Sequence, residues 1–181
     1  MSHTITTRQT DRHPPAQTGA RAVQTDKTTE AVWPSRVVLI CARFGGELDP
    51  VTEWVEGMGG STVIVGEGLL PFEWLDQYAA TFDLALVDCD HVGDQGDVID
   101  FGLRLRRYAP DMPVIMVSSH VAAHDFSAER MAICDVTLKK PVTRSAFFLA
   151  LQAALDNHAH WQMRGDTTRV VWPKAPPAPA E

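Results

Sequence analysis

Five short apolar runs, each separated from the next by a segment of helical period, leave this chain few ways to fold. The runs are Arg36 to Ala42, Ser61 to Gly66, Phe82 to Asp88, Pro113 to Ser118 and Asp135 to Lys139. Each has the length and β-branched content of a strand covered on both faces. Between them, apolar residues recur three and four apart. From Glu47 to Met58 these are Val51, Trp54, Val55 and Met58, with Asp49-Pro50 as the helix start and Gly57, Gly59 and Gly60 as its end. Phe72, Leu75 and Ala79 mark a helix from Pro71 to Ala80. Val98, Phe101, Gly102 and Leu105 form the inner stripe of one from Asp97 to Tyr108, with Arg104 and Arg107 outward. A shorter helix is expected from Phe126 to Ile133, and a long one from Thr143 to His160 facing inward with Phe147, Leu151, Ala154, Leu155 and His158. Parallel strands need crossovers, and crossover helices cover the sheet. The fold class is therefore α/β, a doubly wound five-stranded parallel sheet with helices on both faces.

With 181 residues, 45% of them hydrophobic, the chain has room for one ordinary domain plus tails. Residues 1–34 are rich in Thr, Gln, Ser and Pro and are expected to form a disordered arm; residues 35–162 make the domain; residues 163–181 read as an extended, Pro/Ala-rich tail. A formal charge of −7 with scattered arginines argues against nucleic-acid binding. No run approaches the length of a membrane span and no secretory leader is visible, so a cytoplasmic protein is expected. Cys41, Cys89 and Cys134 form an odd set without a Cys-x-x-Cys pair, which fits reduced thiols.

The third run ends abruptly in acids and glycines, Asp88-Cys89-Asp90-His91-Val92-Gly93-Asp94-Gln95-Gly96. That places Asp88 at the C-terminal tip of a strand, the edge where ligands gather in open α/β sheets. Ser118 ends the fourth run and Lys140-Pro141 follows the fifth. Taken singly, these are an ordinary strand-end acid, a turn former and a surface lysine; their joint spacing is informative. Over about residues 36 to 160 the chain resembles the receiver domain of two-component response regulators. The resemblance implies a flavodoxin-like sheet of strand order 2-1-3-4-5. It also implies Asp88 as phospho-acceptor, Gly93 and Gly96 in the following loop, Ser118 and Lys140 as phosphate contacts, and a cis peptide before Pro141. A kinase's phosphohistidine would deliver the phosphoryl group to the Asp88 carboxylate as a mixed anhydride, while the site gathers positive charge around the oxygens.

Three positions, in two places, depart from that pattern. Where the family carries the acid pair that holds magnesium, the first strand ends in Cys41-Ala42, and neither is a hard oxygen ligand. Glu47, Asp49 and Asp90 are the weak rescue candidates for a metal. Thr137 stands where the fifth strand usually has an aromatic ring. Two functions follow: a phosphate-independent pseudo-receiver acting through protein contacts, or a conventional phosphorelay receiver phosphorylated on Asp88 by a histidine kinase. The missing acids favour the first, and the retained Asp88, Ser118 and Lys140 favour the second. Neither is an enzyme, and no cofactor is implied unless Asp88 is phosphorylated with magnesium. The expected partners are signalling proteins such as a histidine kinase or a downstream regulator. A homodimer is compatible with the usual meeting face of the fourth helix, fifth strand and last helix, where Phe148 is either an exposed contact or a core neighbour of Phe147.

Other sites on this sheet fit less well. A flavodoxin-like small-ligand binder needs a hydroxyl-rich phosphate cradle after the first strand, and Arg43-Phe44-Gly45-Gly46-Glu47 ends in an acid. A cobalamin-type Asp-x-His-x-x-Gly motif is on the wrong strand and wrongly spaced. Cys41, Cys89, His91 and His120 share one sheet edge and compose a possible soft-metal set. The residues after Trp161 are too few and too Pro-rich for a helix-turn-helix. Val32-Trp33-Pro34 and Val171-Trp172-Pro173 repeat one triplet, with Trp33 expected on the domain and Trp172 available to a partner.

Overall fold

A computed structural model of the chain describes residues 33–66 and 70–165. Five parallel strands, β1 (Val37–Cys41), β2 (Ser61–Val65), β3 (Leu84–Asp88), β4 (Val114–Ser118) and β5 (Val136–Lys139), lie in the order β2-β1-β3-β4-β5. The helices are α1 (Asp49–Gly57), α2 (Phe72–Tyr78), α3 (Cys89–Val92), α4 (Gln95–Tyr108) and α5 (Arg144–Gly165). The doubly wound sheet read from the sequence is the fold observed. Every residue of β3 and β4 is buried, as central strands covered on both faces must be, while β2 at the edge is partly exposed along its length.

The pleat sorts the strands into two cores. On one face Val38, Ile40, Leu84, Leu86, Ile115 and Val117 meet α1 and α5 around Phe147. On the other Leu39, Ala85, Val87, Val114 and Met116 meet α2 and α4 around Phe72, whose ring packs edge-on to Phe101 at 5.3 Å. Phe72 and Phe147 are fully buried, and truncating either to alanine costs about 3–5 kcal/mol. Phe148 is only half-buried and packs on the Phe147 core, its ring 5.9 Å from that of Phe147, so the core-neighbour reading holds. Trp33 packs on the same core, as expected.

Helix ends follow local chemistry. α1 begins at Asp49-Pro50. α4 begins at Gln95, two residues earlier than its apolar stripe suggests, because Asp94 caps it: the Asp94 carboxylate accepts from the Gly96 and Asp97 amides while Asp97 accepts from the Asp94 amide. α5 continues past His160 to Gly165.

The helix expected from Phe126 to Ile133 is not formed. Asp125 instead pairs antiparallel with Thr137, donating to its carbonyl at 2.7 Å and accepting from its amide at 2.8 Å. The Asp125 carboxylate then takes the Ser127 amide and hydroxyl, leaving room for one 3₁₀ turn, Ala128–Arg130, before Asp135 enters β5. Pairing with the sheet edge and side-chain capping have outcompeted a weak helical period. Asn157 of α5 fixes this segment by donating to the carbonyls of Phe126 (3.0 Å) and Asp135 (2.8 Å). The Trp172 triplet, most of the expected arm and the expected tail beyond residue 165 lie outside the described residues.

Candidate functional site

Strand register builds the site. Asp88 stands opposite Val117 and Ser118 opposite Lys139, so the tips of β3, β4 and β5 come level. Asp88, Ser118 and Lys140 therefore meet at one edge, although 52 positions separate the first from the last. The Lys140 ammonium lies 2.7 Å from Asp88 Oδ1, and the Lys140–Pro141 peptide is cis, as the resemblance implied.

The chain then adds what the sequence left open. Directly after β3 the glycine-rich stretch makes a single helical turn, α3, because the Asp88 carboxylate caps it by accepting from the Asp90 amide at 3.1 Å. That turn aims Asp90 at the tips of β4 and β5. Its carboxylate accepts from Ser118 Oγ (3.1 Å) and the Ser119 amide (3.1 Å to Oδ2), and pairs with Lys140 Nζ at 3.1 Å. Ser118 Oγ in turn accepts from the His120 amide, and His120 Nδ1 lies 3.2 Å from Asp90 Oδ1. Glu47 reaches Lys140 from the loop after β1, at 3.4 Å. Of the three rescue candidates the structure thus brings in Asp90 and Glu47. Asp49 stays away, accepting from the Gly46 amide at the start of α1.

The electrostatics follow from this geometry. Partial burial opposes ionisation of Asp90, but hydrogen bonds from Lys140, Ser119 and Ser118 overcome it and hold its carboxyl well below the usual range. Burial pulls the Lys140 ammonium down, and the bonds and charges of Asp88 and Asp90 more than reverse this, so its pKa is raised. Lys140 is therefore a cation at neutral pH, with only 9% of its side chain exposed.

Magnesium is the group this arrangement would be asked to hold, and the residues do not fit it. Cys41 is buried and its thiol is pushed up to about 12 by desolvation, so it stays neutral; Ala42 offers only a methyl group. The carboxylates that are present converge on the Lys140 ammonium. Among the described residues no cluster of three or more His, Cys, Asp and Glu side chains forms a metal site. The soft-metal set is also dispersed: Cys41 and Cys89 sit in the core, His91 bonds the Gly66 carbonyl, and His120 is 85% exposed beside Asp90. The loop after β1 lays the Phe44 ring against Gly66, where a Cβ would meet it at 2.0 Å.

No protein-family model matches the sequence, and no curated protein matches it. Solved structures do match. A response regulator receiver domain protein from Clostridium thermocellum aligns at TM-score 0.52 and 17% identity, covering 71% of this chain and 98% of its own. A CheY-like receiver protein from Methanospirillum hungatei aligns at 0.51 and 20%, covering 70% of this chain and 98% of its own. This chain has the response-regulator receiver fold. The receiver domain of a modulated diguanylate cyclase from Desulfovibrio desulfuricans, described as an example of alternate folding, aligns at 0.50 and 18%, covering 70% and 98%.

Against the receiver pattern implied by the sequence, the departures cluster on two sides. Thr137, in the aromatic position of β5, is buried, its hydroxyl 3.5 Å from Cys134 Sγ, and its backbone is closed by Asp125. The fourth crossover, between β4 and β5, is a paired loop and a 3₁₀ turn. A buried cluster that the sequence reading missed lies behind that loop. Arg106 of α4 pairs with Asp135 at 2.9 Å and donates to His158 Nδ1 of α5 (3.2 Å), while Asp135 accepts the Val114 amide at 2.6 Å. The available signal was Arg106 standing four residues after Gly102 on the inner stripe, with Asp135 opening β5 and His158 facing inward. Among the described residues no helix is long and apolar enough to cross a membrane.

Proposed function

We propose that this chain is a receiver-type signalling module of the pseudo-receiver kind, acting by protein contact and without the magnesium-assisted transfer of a phosphoryl group. The observation that carries this is the commitment of Lys140. Its single ammonium faces Asp88, Asp90 and Glu47 together, and the two positions beside them that would hold a metal are a buried neutral thiol and a methyl group. A phosphoryl group entering there would meet net negative charge with no divalent cation to offset it. The partners we assign are a histidine kinase or a downstream regulator, and the setting we assign is the cytoplasm. The role needs no cofactor and no catalytic residue. Its broader part, a receiver in a two-component pathway, rests on the fold together with the gathered Asp88, Ser118 and Lys140.

The second reading, a phosphorelay receiver modified on Asp88, is favoured by the 2.7 Å contact between Asp88 and Lys140. Intact-mass analysis after incubation with a small acyl phosphate and magnesium, beside Asp88→Asn, decides between them. We expect no phosphoryl adduct on the native chain. An adduct that Asp88→Asn abolishes overturns the pseudo-receiver reading.

A further inference from the structure

A carboxylate that is to hold a phosphoryl group needs donors directed at the added oxygens, and the donors at this edge already have an acceptor. Lys140 Nζ, Ser118 Oγ and the Ser119 amide converge from β4, β5 and the loop between β4 and the 3₁₀ turn, all within 3.1 Å of the nearer Asp90 oxygen. Asp90 arrives on α3, the turn capped by the Asp88 side chain itself, so the internal anion is held beside Asp88 by a bond to Asp88. Ser118 is then locked a second time by the His120 amide, at 3.1 Å. An ionised carboxylate with several donors is the strong form of hydrogen bond, and 23% exposure of the Asp90 side chain limits exchange with water.

We infer that Asp90 is the resident anion of this site, holding Ser118, Ser119, His120 and Lys140 in a liganded arrangement with nothing else bound. The surface made by the loop after β4 is then permanently set, and a partner reads it in one state. For any anion to be carried on Asp88, Asp90 would first have to leave against its bonds to Lys140 and Ser118. This inference rests on the pseudo-receiver reading and deepens it, since it names what keeps the site shut.

Amide NMR with hydrogen exchange on the whole chain tests it, comparing the native protein with Asp90→Ala and Asp90→Asn. In Asp90→Ala the Ser119 and His120 resonances should move and their exchange should rise roughly ten- to hundredfold, as loss of a charge-assisted acceptor requires. Acetate, or inorganic phosphate, should return those resonances toward their native positions, whereas chloride should not. The native protein should respond to none of the three. Asp90→Asn keeps one acceptor oxygen and should fall between, which separates loss of the anion from loss of folding. Unmoved resonances in Asp90→Ala, no rescue by either oxyanion, or a native response to acetate overturns the inference. An acyl-phosphate adduct on the native chain would instead overturn the function proposed above and leave these amide results to stand or fall alone.

Discussion

Two polar clusters of this protein use the same chemistry at opposite ends of β5 and differ in what surrounds them. At the C-terminal end, Lys140 is shared by Asp88, Asp90 and Glu47, whose side chains are 10%, 23% and 67% exposed. At the N-terminal end, Arg106 and Asp135 form an ion pair 6% and 0% exposed, with His158 as third member at 5%. The first cluster grades outward into solvent and is built from strand tips and loops. The second is walled in by α4, α5 and β4, with Trp161 stacked 5.1 Å from the Arg106 guanidinium. Charge in a closed environment ties elements together, because removing one partner strands the other; at an open edge water can take the place of a lost partner, so the loss costs less. Loss of a partner should therefore cost less at the edge cluster than in the buried cluster, which ties α4 and α5 to the start of β5.

The comparison breaks most visibly at Asp135. Its carboxylate accepts from the Val114 amide at 2.6 Å and neutralises Arg106, so Asp135→Ala leaves a buried guanidinium without its counter-charge and a buried amide unpaired. Arg106 Nε and His158 Nε2 already lack partners among the described residues, so the cluster has no spare acceptor to offer. A loss of about 3–5 kcal/mol in a urea titration is expected. A loss under about 1 kcal/mol would mean that the cluster does not tie these elements together. Replacing Arg106 by Met together with Asp135 by Leu should recover much of the loss, since an apolar pair needs no counterion.

The edge cluster should respond less. Lys140→Met removes the ammonium from three carboxylates, but Glu47 and part of Asp90 can turn to water, so about 1–3 kcal/mol is expected. If Lys140→Met cost as much as Asp135→Ala, the distinction between a solvent-graded and a walled-in cluster would fail. The same titration with added salt sharpens it: screening should change the Lys140 value more than the Asp135 value.

How far each cluster could be read from the sequence follows the same division. Strand tips are legible because an apolar run covered on both faces has to stop where the core stops, which put Asp88 at the end of β3; Ser118 and Lys140 were singled out by their joint spacing and the receiver resemblance, and the structure sets them at the same edge. The role of Asp90 was not legible, since it depends on Asp88 capping one turn of helix and on β4 and β5 ending level with it. Arg106 looked like one more charged residue of α4; its burial depends on Asp135 and on a histidine 52 residues away in sequence. The segment from Phe126 to Ile133 had a weak helical period, and the pairing of Asp125 with Thr137 overrode it. Sequence pattern carries contacts within an element well. It carries contacts between elements only where a family pattern supplies them.

The smallest expected effect is also the most specific, because it has a sign at each end of the pH scale. Asp90 is held below its ordinary value of 3.8 in the fold, so its contribution is fully present above that value and is lost as pH falls through the lowered one. Lys140 is held above its ordinary 10.5, so its contribution is present below that value and is lost as pH rises through the raised one. The stability gap between the native chain and Asp90→Asn should therefore be flat across neutral pH, at under about 1 kcal/mol after solvent screening. It should shrink below about pH 4 and shrink again once Lys140 loses its proton, because the bond between the two is what both ends of the scale destroy. A gap that stayed constant down to the acid unfolding of the protein would show that the Asp90 carboxylate is not held by Lys140, Ser118 and Ser119, and the edge cluster would lose its central member.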